Sequence, residues 1–244
     1  MTLHRFHVPS VAPGVVELPE AARIHAIRVL RLGEGDALRV FDEGMEFTAT
    51  ITRVEKNRVR IEVGAAVPTL PERTVPIHLI MSALKGDLTE LVIQKATELG
   101  VARISPAVFE RTDAVARREP NEARFERWHR VAASAAEQSG RAVVPRVEAL
   151  TSLKQAVDAL GASSENTLRI AAAEPSIDSA GAIRPPTGSV RSIVVAVGPA
   201  GGLGAQDFEI LESAGFKRER FALHTLRSET ACLAAVAILG DRFQ

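Results

Sequence analysis

Residues 194–204 have the clearest capacity for ligand chemistry in this sequence. The segment V-V-A-V-G-P-A-G-G-L-G joins an apolar stretch to a loop with four glycines, and a helical pattern follows. Glycine lets a backbone approach a ligand closely, and the start of a helix offers free N–H groups. The spacing fits neither the dinucleotide fingerprint G-x-G-x-x-G nor a P-loop. The segment therefore indicates either a ligand loop of another kind or a tight strand-to-helix turn.

Other catalytic and metal-binding signatures are absent from the sequence. It contains no H-E-x-x-H and no G-x-S-x-G, and its six histidines lack metal-ligand spacing. Cys232 is the only cysteine, which excludes an intrachain disulfide and a cysteine-rich zinc site and favours a buried thiol. We therefore expect no metal.

Three more segments carry polar groups beside apolar residues. They read L-V-I-Q-K-A-T-E-L-G-V at 91–101, A-A-E-Q-S-G-R at 135–141 and L-R-S-E-T-A at 226–231. Each has an ordinary structural explanation when taken alone. Lys95 and Glu98 suit a solvated helix face, and Ser228 suits a helix N-cap.

The four segments together are similar to one known family. Q-K-A-T-E-L-G-V, A-E-Q-S-x-R with a following V-P, V-G-P-x-G-G and L-R-x-E-T-A, in this order, resemble the bacterial 16S ribosomal RNA uridine-N3 methyltransferases of the SPOUT superfamily. The N-terminal part agrees, with Arg5-Phe6, H-A-I-R-V-L-R-L at 25–32, Gly35-Asp36 and V-F-D at 40–42. The resemblance covers nearly the whole chain.

This resemblance implies an α/β fold in two domains. A PUA-like RNA-binding β-barrel would occupy residues 1–70, and a SPOUT-type methyltransferase domain with a parallel sheet and a trefoil knot would occupy 76–244. It further implies a homodimer, with the active site at the interface, that methylates N3 of a specific uridine in 16S rRNA of the small ribosomal subunit.

The methyl donor implied by the family is S-adenosylmethionine, held by the loops of the knot. These loops correspond here to 171–174, 197–202 and 222–227. The expected cofactor-binding residues are Ala172, Glu174, Val197, Gly198, Pro199, Gly201, Gly202, Leu223, Leu226 and Arg227.

The chemistry of this reaction asks for a base or a cation at the acceptor. N3 of uracil carries a proton and is a poor nucleophile, so the proton must be removed or the ring anion stabilised. Arg227 is the first candidate for anion stabilisation, and Glu137 and Arg141 are candidates for base or RNA contact. Glu229 is either catalytic or a helix-start acid that complements the dipole.

Backbone contacts to RNA would come mainly from the N-terminal domain. Arg5, His25, Arg28 and Arg31 are the candidates there, with Lys95 in the second domain. Since Arg28 and Arg31 are three residues apart, we expect them to share a helix face.

The sequence departs from the family near the expected donor pocket. Ala200 replaces an acidic residue and Ala222 a glycine, while Gly204 and Asp207 replace the Ser and Glu that form a capping box, which we expect to be lost. Ala200 and Ala222 favour an alternative function, a knotted RNA-binding ribosome-assembly factor with weak or lost methyltransferase activity. A methyltransferase for a different nucleotide is a second alternative.

The elements that must position these residues change character near residues 66–76, a stretch with three prolines. Before it, alternation predicts short strands at 38–40, 47–51 and 59–63, interrupted by a helix at 20–30. After it, strands and helices alternate, as in a parallel α/β domain. We expect strands at 77–84, 101–108, 168–173 and 193–197, and helices at 87–99, 121–139, 203–214 and 229–239.

Composition and charge agree with a globular protein of 244 residues. Thirty basic residues balance thirty acidic ones, so any RNA surface must be a local patch. No apolar run is long enough to span a bilayer, and the N-terminal residues lack the apolar stretch of a secretory signal. We therefore expect a cytoplasmic protein without a membrane partner.

Overall fold

A computed structural model describes residues 3–118, 122–162, 164–174, 181–182 and 189–243. The chain forms two compact units, Met1–Glu72 with Ala132–Val144 and Arg73–Val131 with Pro145–Gln244. The first unit therefore includes a segment, Ala132–Val144, from far along the chain. The proline-rich stretch at 66–76 does not predict this second segment.

The first unit is built on a five-stranded sheet. Its elements are β1 Arg5–His7, β2 Gly14–Glu17, α1 Glu20–Ile24, a π-helix His25–Val29, β3 Ala37–Asp42, β4 Met45–Val54 and β5 Val59–Val67. The strand order is β1-β3-β4-β5-β2, with β1 parallel to β3 and the other pairs antiparallel. Alternating residues of β5, Val59, Ile61 and Val63, face the apolar core as predicted.

The helix expected at 20–30 ends differently from the prediction. Its second half is a π-helix, and Arg31 lies beyond its end with a φ of 58°. The expectation that Arg28 and Arg31 share a helix face is therefore wrong, because the π-helix ends at Val29 and Arg31 lies beyond it in a left-handed conformation.

The second unit contains the parallel sheet and the long helices. Its elements are β6 Ile77–Ser82, α2 Leu88–Glu98, β7 Arg103–Val108, β8 Arg146–Val147, β9 Thr151–Ser152, α4 Leu153–Asp158, β10 Thr167–Ala172, β11 Gly181–Ala182, β12 Ser192–Val197, α5 Ala205–Ser213, β13 Lys217–Arg220 and α6 Ser228–Arg242. A further helix, α3 Glu122–Ser139, begins in this unit and ends in the first.

All described strand pairs of the second unit are parallel, in the order β11-β13-β10-β12-β6-β7-β8, with β9 beside β7. Strand β6 is buried along its whole length, as expected where helices cover both faces of a sheet. These features confirm the predicted α/β class with a parallel sheet. Cys232, in α6, is buried, which confirms the prediction of a buried thiol.

The path of the chain brings three loops to one edge of this sheet. Strand β10 lies between β12 and β13, so the segments that follow these three strands meet at their carboxyl ends. The chain then enters α6, which packs on α2 and β6, the first helix and strand of the unit. Across the described ranges, no helix has the length and apolar character needed to cross a membrane.

Candidate active site

A cavity of about 290 Å³ lies at the carboxyl ends of β10, β12 and β13. All three loops named from the sequence contribute to it. Its lining residues are Arg111, Ala172, Ala173, Glu174, Val197, Gly198, Pro199, Ala200, Gly201, Gly202, Leu203, Phe208, Phe221, Ala222, His224, Thr225, Leu226, Ser228 and Ala231.

The glycine loop after β12 is shaped by a tight turn that favours glycine. The Gly202 N–H donates to the Pro199 carbonyl at 2.9 Å, and the φ of Gly202 is +72°. A Cβ added at Gly202 would lie 2.3 Å from Oε1 of Glu174, and one at Gly198 would lie 2.8 Å from Cδ2 of Leu203. The loop is therefore both a tight turn and a backbone wall of the cavity.

Ser228 fastens the last helix to this loop. Its hydroxyl donates to the Gly198 carbonyl at 2.6 Å, while Arg227 occupies the N-cap position with an extended backbone. The N-cap reading of Ser228 is therefore wrong, because its hydroxyl lies one position inside the helix and satisfies a carbonyl of the glycine loop instead.

Helix α5 keeps part of its cap, against the expectation that the capping box is lost. The Asp207 carboxylate accepts the Gly204 N–H at 2.9 Å, which is one half of a capping box. Gly204 has no side chain for the other half. Oε2 of Glu110, from the segment after β7, accepts the Gln206 N–H at 3.0 Å in its place.

The cavity carries one arginine that the sequence did not single out. Nη1 of Arg111 donates to the Gly201 carbonyl at 2.8 Å, although 90 residues separate the two in the chain. No local motif marks Arg111. The available signal was its place just after a buried strand, where the ligands of parallel sheets bind.

The chain matches two family descriptions. Residues 71–240 match the RNA methyltransferase domain, and residues 20–64 match the RNA methyltransferase PUA domain. The chain belongs to the RNA methyltransferase family. Its PUA domain precedes the methyltransferase domain, as the resemblance implied.

Named relatives of this RNA methyltransferase include two ribosomal RNA small subunit methyltransferases E. The Synechocystis protein is 30% identical over 220 residues, which are 88% of this chain and 70% of the relative. The Bacillus subtilis protein is 30% identical over 226 residues, 88% of this chain and 86% of the relative.

Two solved structures have a TM-score of 0.84 with this methyltransferase, and each alignment covers 99% of this chain and 98% of the other. One is the ribosomal RNA small subunit methyltransferase E of Neisseria gonorrhoeae bound to S-adenosyl methionine, at 32% identity. The other comes from Legionella pneumophila, in complex with the bound cofactor SAM, at 26% identity. The predicted fold class, a SPOUT-type α/β domain after a PUA-like domain, is confirmed.

Most of the expected cofactor-binding residues of this methyltransferase line the cavity. Those that do are Ala172, Glu174, Val197, Gly198, Pro199, Gly201, Gly202 and Leu226. Leu223 and Arg227 are not among the lining residues. Leu223 is 78% exposed, and Arg227 is exposed at the start of α6.

Glu137 and Arg141 both have partners within the first unit. Oε1 of Glu137 accepts the His7 N–H at 2.9 Å, and desolvation by burial raises the pKa of this carboxyl. Nη2 of the buried Arg141 lies 2.5 Å from Oε2 of Glu72. Catalytic roles for these two residues stay proposals.

The expected RNA-binding residues of the first unit are of two kinds, one with hydrogen-bond partners inside the protein and the others with exposed side chains. The Arg5 guanidinium donates to the Glu46 carboxylate and to the carbonyls of Ala136, Glu137 and Arg141, which places it at the end of α3. A second group is exposed, and it consists of His25, Arg28 and Arg31.

Lys95 stands apart from both groups, in the second unit. Its Nζ pairs with the Glu98 carboxylate at 2.8 Å, three residues away on α2, and both side chains are partly exposed.

Proposed function

We propose that the protein transfers a methyl group from S-adenosylmethionine to N3 of a specific uridine in 16S rRNA of the small ribosomal subunit, in the cytoplasm. The observation that carries this proposal is the cavity formed by three loops at the carboxyl edge of the sheet. It lies in a chain that matches structures with bound S-adenosylmethionine along nearly its whole length.

The residues of the cavity fit this donor. Glycines expose the backbone between Gly198 and Gly202, which suits hydrogen bonds to a purine and a ribose. Phe208 and Phe221 supply apolar surface, and the Glu174 carboxylate suits a ligand with positive charge. Ala200 and Ala222 also line the cavity, and both are small enough to leave its volume open.

The bound donor supplies an electrophilic methyl group, and the chain must deal with the proton on N3. In our proposal Arg227 stabilises the negative charge that develops on the uracil ring. Glu137 is the candidate base, because a carboxyl with a raised pKa accepts a proton more readily. Arg141 is a candidate RNA contact. The exposed His25, Arg28 and Arg31 would position the phosphate backbone, with Lys95 as a further contact.

The proposal includes a homodimer formed through the methyltransferase domain. Helix α6 is apolar over most of its circumference, with Leu233, Ala237 and Ile238 only half-buried. Leu88 and Leu91 of the neighbouring α2 expose 36% and 38% of their surface. A second copy of this chain would cover such a face.

One experiment tests the function directly. The protein is incubated with isotopically labelled S-adenosylmethionine and unmethylated small subunits, and the methyl group is located by mass spectrometry. Label on N3 of one uridine is the expected result. Donor binding without transfer, or no donor binding, would favour the assembly-factor alternative, and label on another base would favour the alternative substrate.

A further inference from the structure

We propose that Arg111 binds the α-carboxylate of the methyl donor, and that Glu110 and Asp207 hold Arg111 in place for this task. The inference rests on the proposed function, because it assigns one part of the donor to one side chain of this chain.

The charged side chains that line the cavity match the charges of the donor. Arg111 is its only arginine or lysine among the described residues, and Glu174 its only carboxylate. The amino-acid part of S-adenosylmethionine carries an ammonium group and a carboxylate. A single cation and a single anion in one cavity match such a zwitterion, and guanidinium is the group best suited to a carboxylate.

The donor atoms of Arg111 permit this contact. A guanidinium has five N–H groups, and in the described part of the chain only Nη1 of Arg111 has a partner, the Gly201 carbonyl. That bond keeps the side chain against the glycine loop, where Cβ and Cδ of Arg111 both lie 3.5 Å from the position of a Cβ at Gly201.

Two hydrogen bonds between Glu110 and α5 hold the backbone beside Arg111, and we call this pair of bonds the latch. The Glu110 N–H donates to Oδ1 of Asp207 at 2.9 Å, and the Glu110 side chain accepts from Gln206 in return. Arg117 donates to the carbonyls of Glu110 and Thr112. These bonds tie the residues after β7 to the helix that follows the glycine loop.

The latch depends on glycine at position 204. A Cβ there would lie 2.1 Å from Oε2 of Glu110, so a serine cap and this position of Glu110 exclude each other. Helix α5 is therefore capped by a residue about 96 positions away rather than by its own N-cap side chain. Because the distant cap is Glu110, the residue before Arg111, the same contact holds the backbone of Arg111 beside the cavity.

Calorimetry with two ligands tests the carboxylate contact. S-adenosylmethionine and its decarboxylated form differ only in the carboxylate. The Arg111→Ala variant is expected to bind S-adenosylmethionine roughly tenfold or more weakly, as for a lost charge-assisted hydrogen bond, and the decarboxylated form within about twofold of wild type. Arg118→Ala removes an exposed arginine from the same segment that does not line the cavity, and it should change neither affinity.

The outcomes separate this inference from the function on which it rests. Equal losses for both ligands in Arg111→Ala, or no loss for either, would overturn the carboxylate contact while leaving the function intact. A wild-type protein that binds neither ligand would overturn both.

A second pair of variants tests the latch. Glu110→Ala should lower the melting temperature and weaken binding of S-adenosylmethionine more than binding of the decarboxylated form. Adding Gly204→Ser to this variant should restore the melting temperature, because serine caps α5 locally. It should not restore the affinity. Recovery of both would reduce Glu110 to a helix cap and overturn its positioning role.

Discussion

Arg227 lies outside the set of cavity-lining residues, with an exposed side chain just before α6. A guanidinium keeps its charge at any working pH, so it can stabilise a uracil anion without being titrated. We expect Arg227→Ala to lower the single-turnover rate of methyl transfer about 10²-fold, with donor affinity changed about threefold or less. Lysine should rescue the rate only in part, because it lacks the planar fork.

The control for this variant is Arg191→Ala, which removes an exposed arginine before β12 and should leave the rate unchanged. A rate for Arg227→Ala within about threefold of wild type would remove Arg227 from the mechanism. If thermal stability and donor affinity fell in step with the rate, Arg227 would be a brace of the loop instead.

Gly202 is the position where the cavity tolerates a side chain least. Its positive φ strains any L residue, and a Cβ would collide with Oε1 of Glu174. Gly202→Val should therefore abolish donor binding measured by calorimetry, while far-UV circular dichroism stays that of the wild type. Gly161→Val is the matched control, since its φ is +70° but its surroundings are open. Unchanged donor affinity in Gly202→Val would exclude this loop as a wall of the donor site.

His78 makes the stability of the second unit depend on pH. Burial, helped by the Arg103 charge, lowers its pKa from 6.5 to about 3, and Nε2 lies 2.7 Å from the Ser105 hydroxyl. Because the folded pKa lies below the unfolded one, the stabilisation is fully present above pH 6.5. It is lost as pH falls toward 3, by up to roughly 4 kcal/mol.

His78→Gln should flatten the pH dependence of the free energy of unfolding between pH 6.5 and 3, measured by urea denaturation. His4→Gln alters an exposed histidine and should leave the slope as in wild type. An unchanged slope in His78→Gln would show that other groups control acid unfolding.

At the scale of elements, arginines from distant positions satisfy the carbonyls at helix ends. Helices α3, α4 and α5 have no basic residue in their last turn. Arg5 donates to carbonyls at the end of α3, and the buried Arg169 of β10 donates to Ala214, the C-cap of α5, and to Gly161 after α4. Each contact stabilises free carbonyls and the negative end of a helix dipole.

Arg169→Met keeps an unbranched side chain but removes the guanidinium and with it both hydrogen bonds. We expect a loss of about 2–3 kcal/mol in the free energy of unfolding, since the carbonyls of Ala214 and Gly161 lose a charged donor. Lys154→Met is the control, because its exposed pair with Asp158 contributes about 0.5 kcal/mol or less. Equal effects of the two variants would contradict the capping role of Arg169.

At the scale of the whole molecule, the half-exposed apolar face of α2 and α6 predicts assembly. We expect a dimer at micromolar concentration by light scattering, and a monomer for Leu91→Glu, which adds a charge to that face. Val15→Glu changes an exposed valine of the first unit and should remain dimeric. A fully active wild-type monomer would overturn the dimer proposal.

The elements that could be read from the sequence are those whose hydrophobic pattern is local. Strand β12 and helix α2 lie within two residues of their predicted bounds, because burial imposes a continuous apolar run or a helical period. Strand β13, K-R-E-R, has neither pattern and was not predicted. Its place beside β10 comes from backbone pairing, which side-chain types do not encode.

The site divides in the same way. The sequence by itself determined the glycine loop, because a backbone with positive φ or in close contact with a neighbour favours glycine, which can be read directly. It also determined the family, through the order of its motifs. Only the tertiary structure decided that Arg111 lines the cavity and that Glu110 replaces the missing cap of α5. Both depend on contacts between residues far apart in the chain, 90 positions for Arg111 with Gly201 and 96 for Glu110 with Gln206. Such contacts follow from the order of strands in the sheet, which no local spacing records.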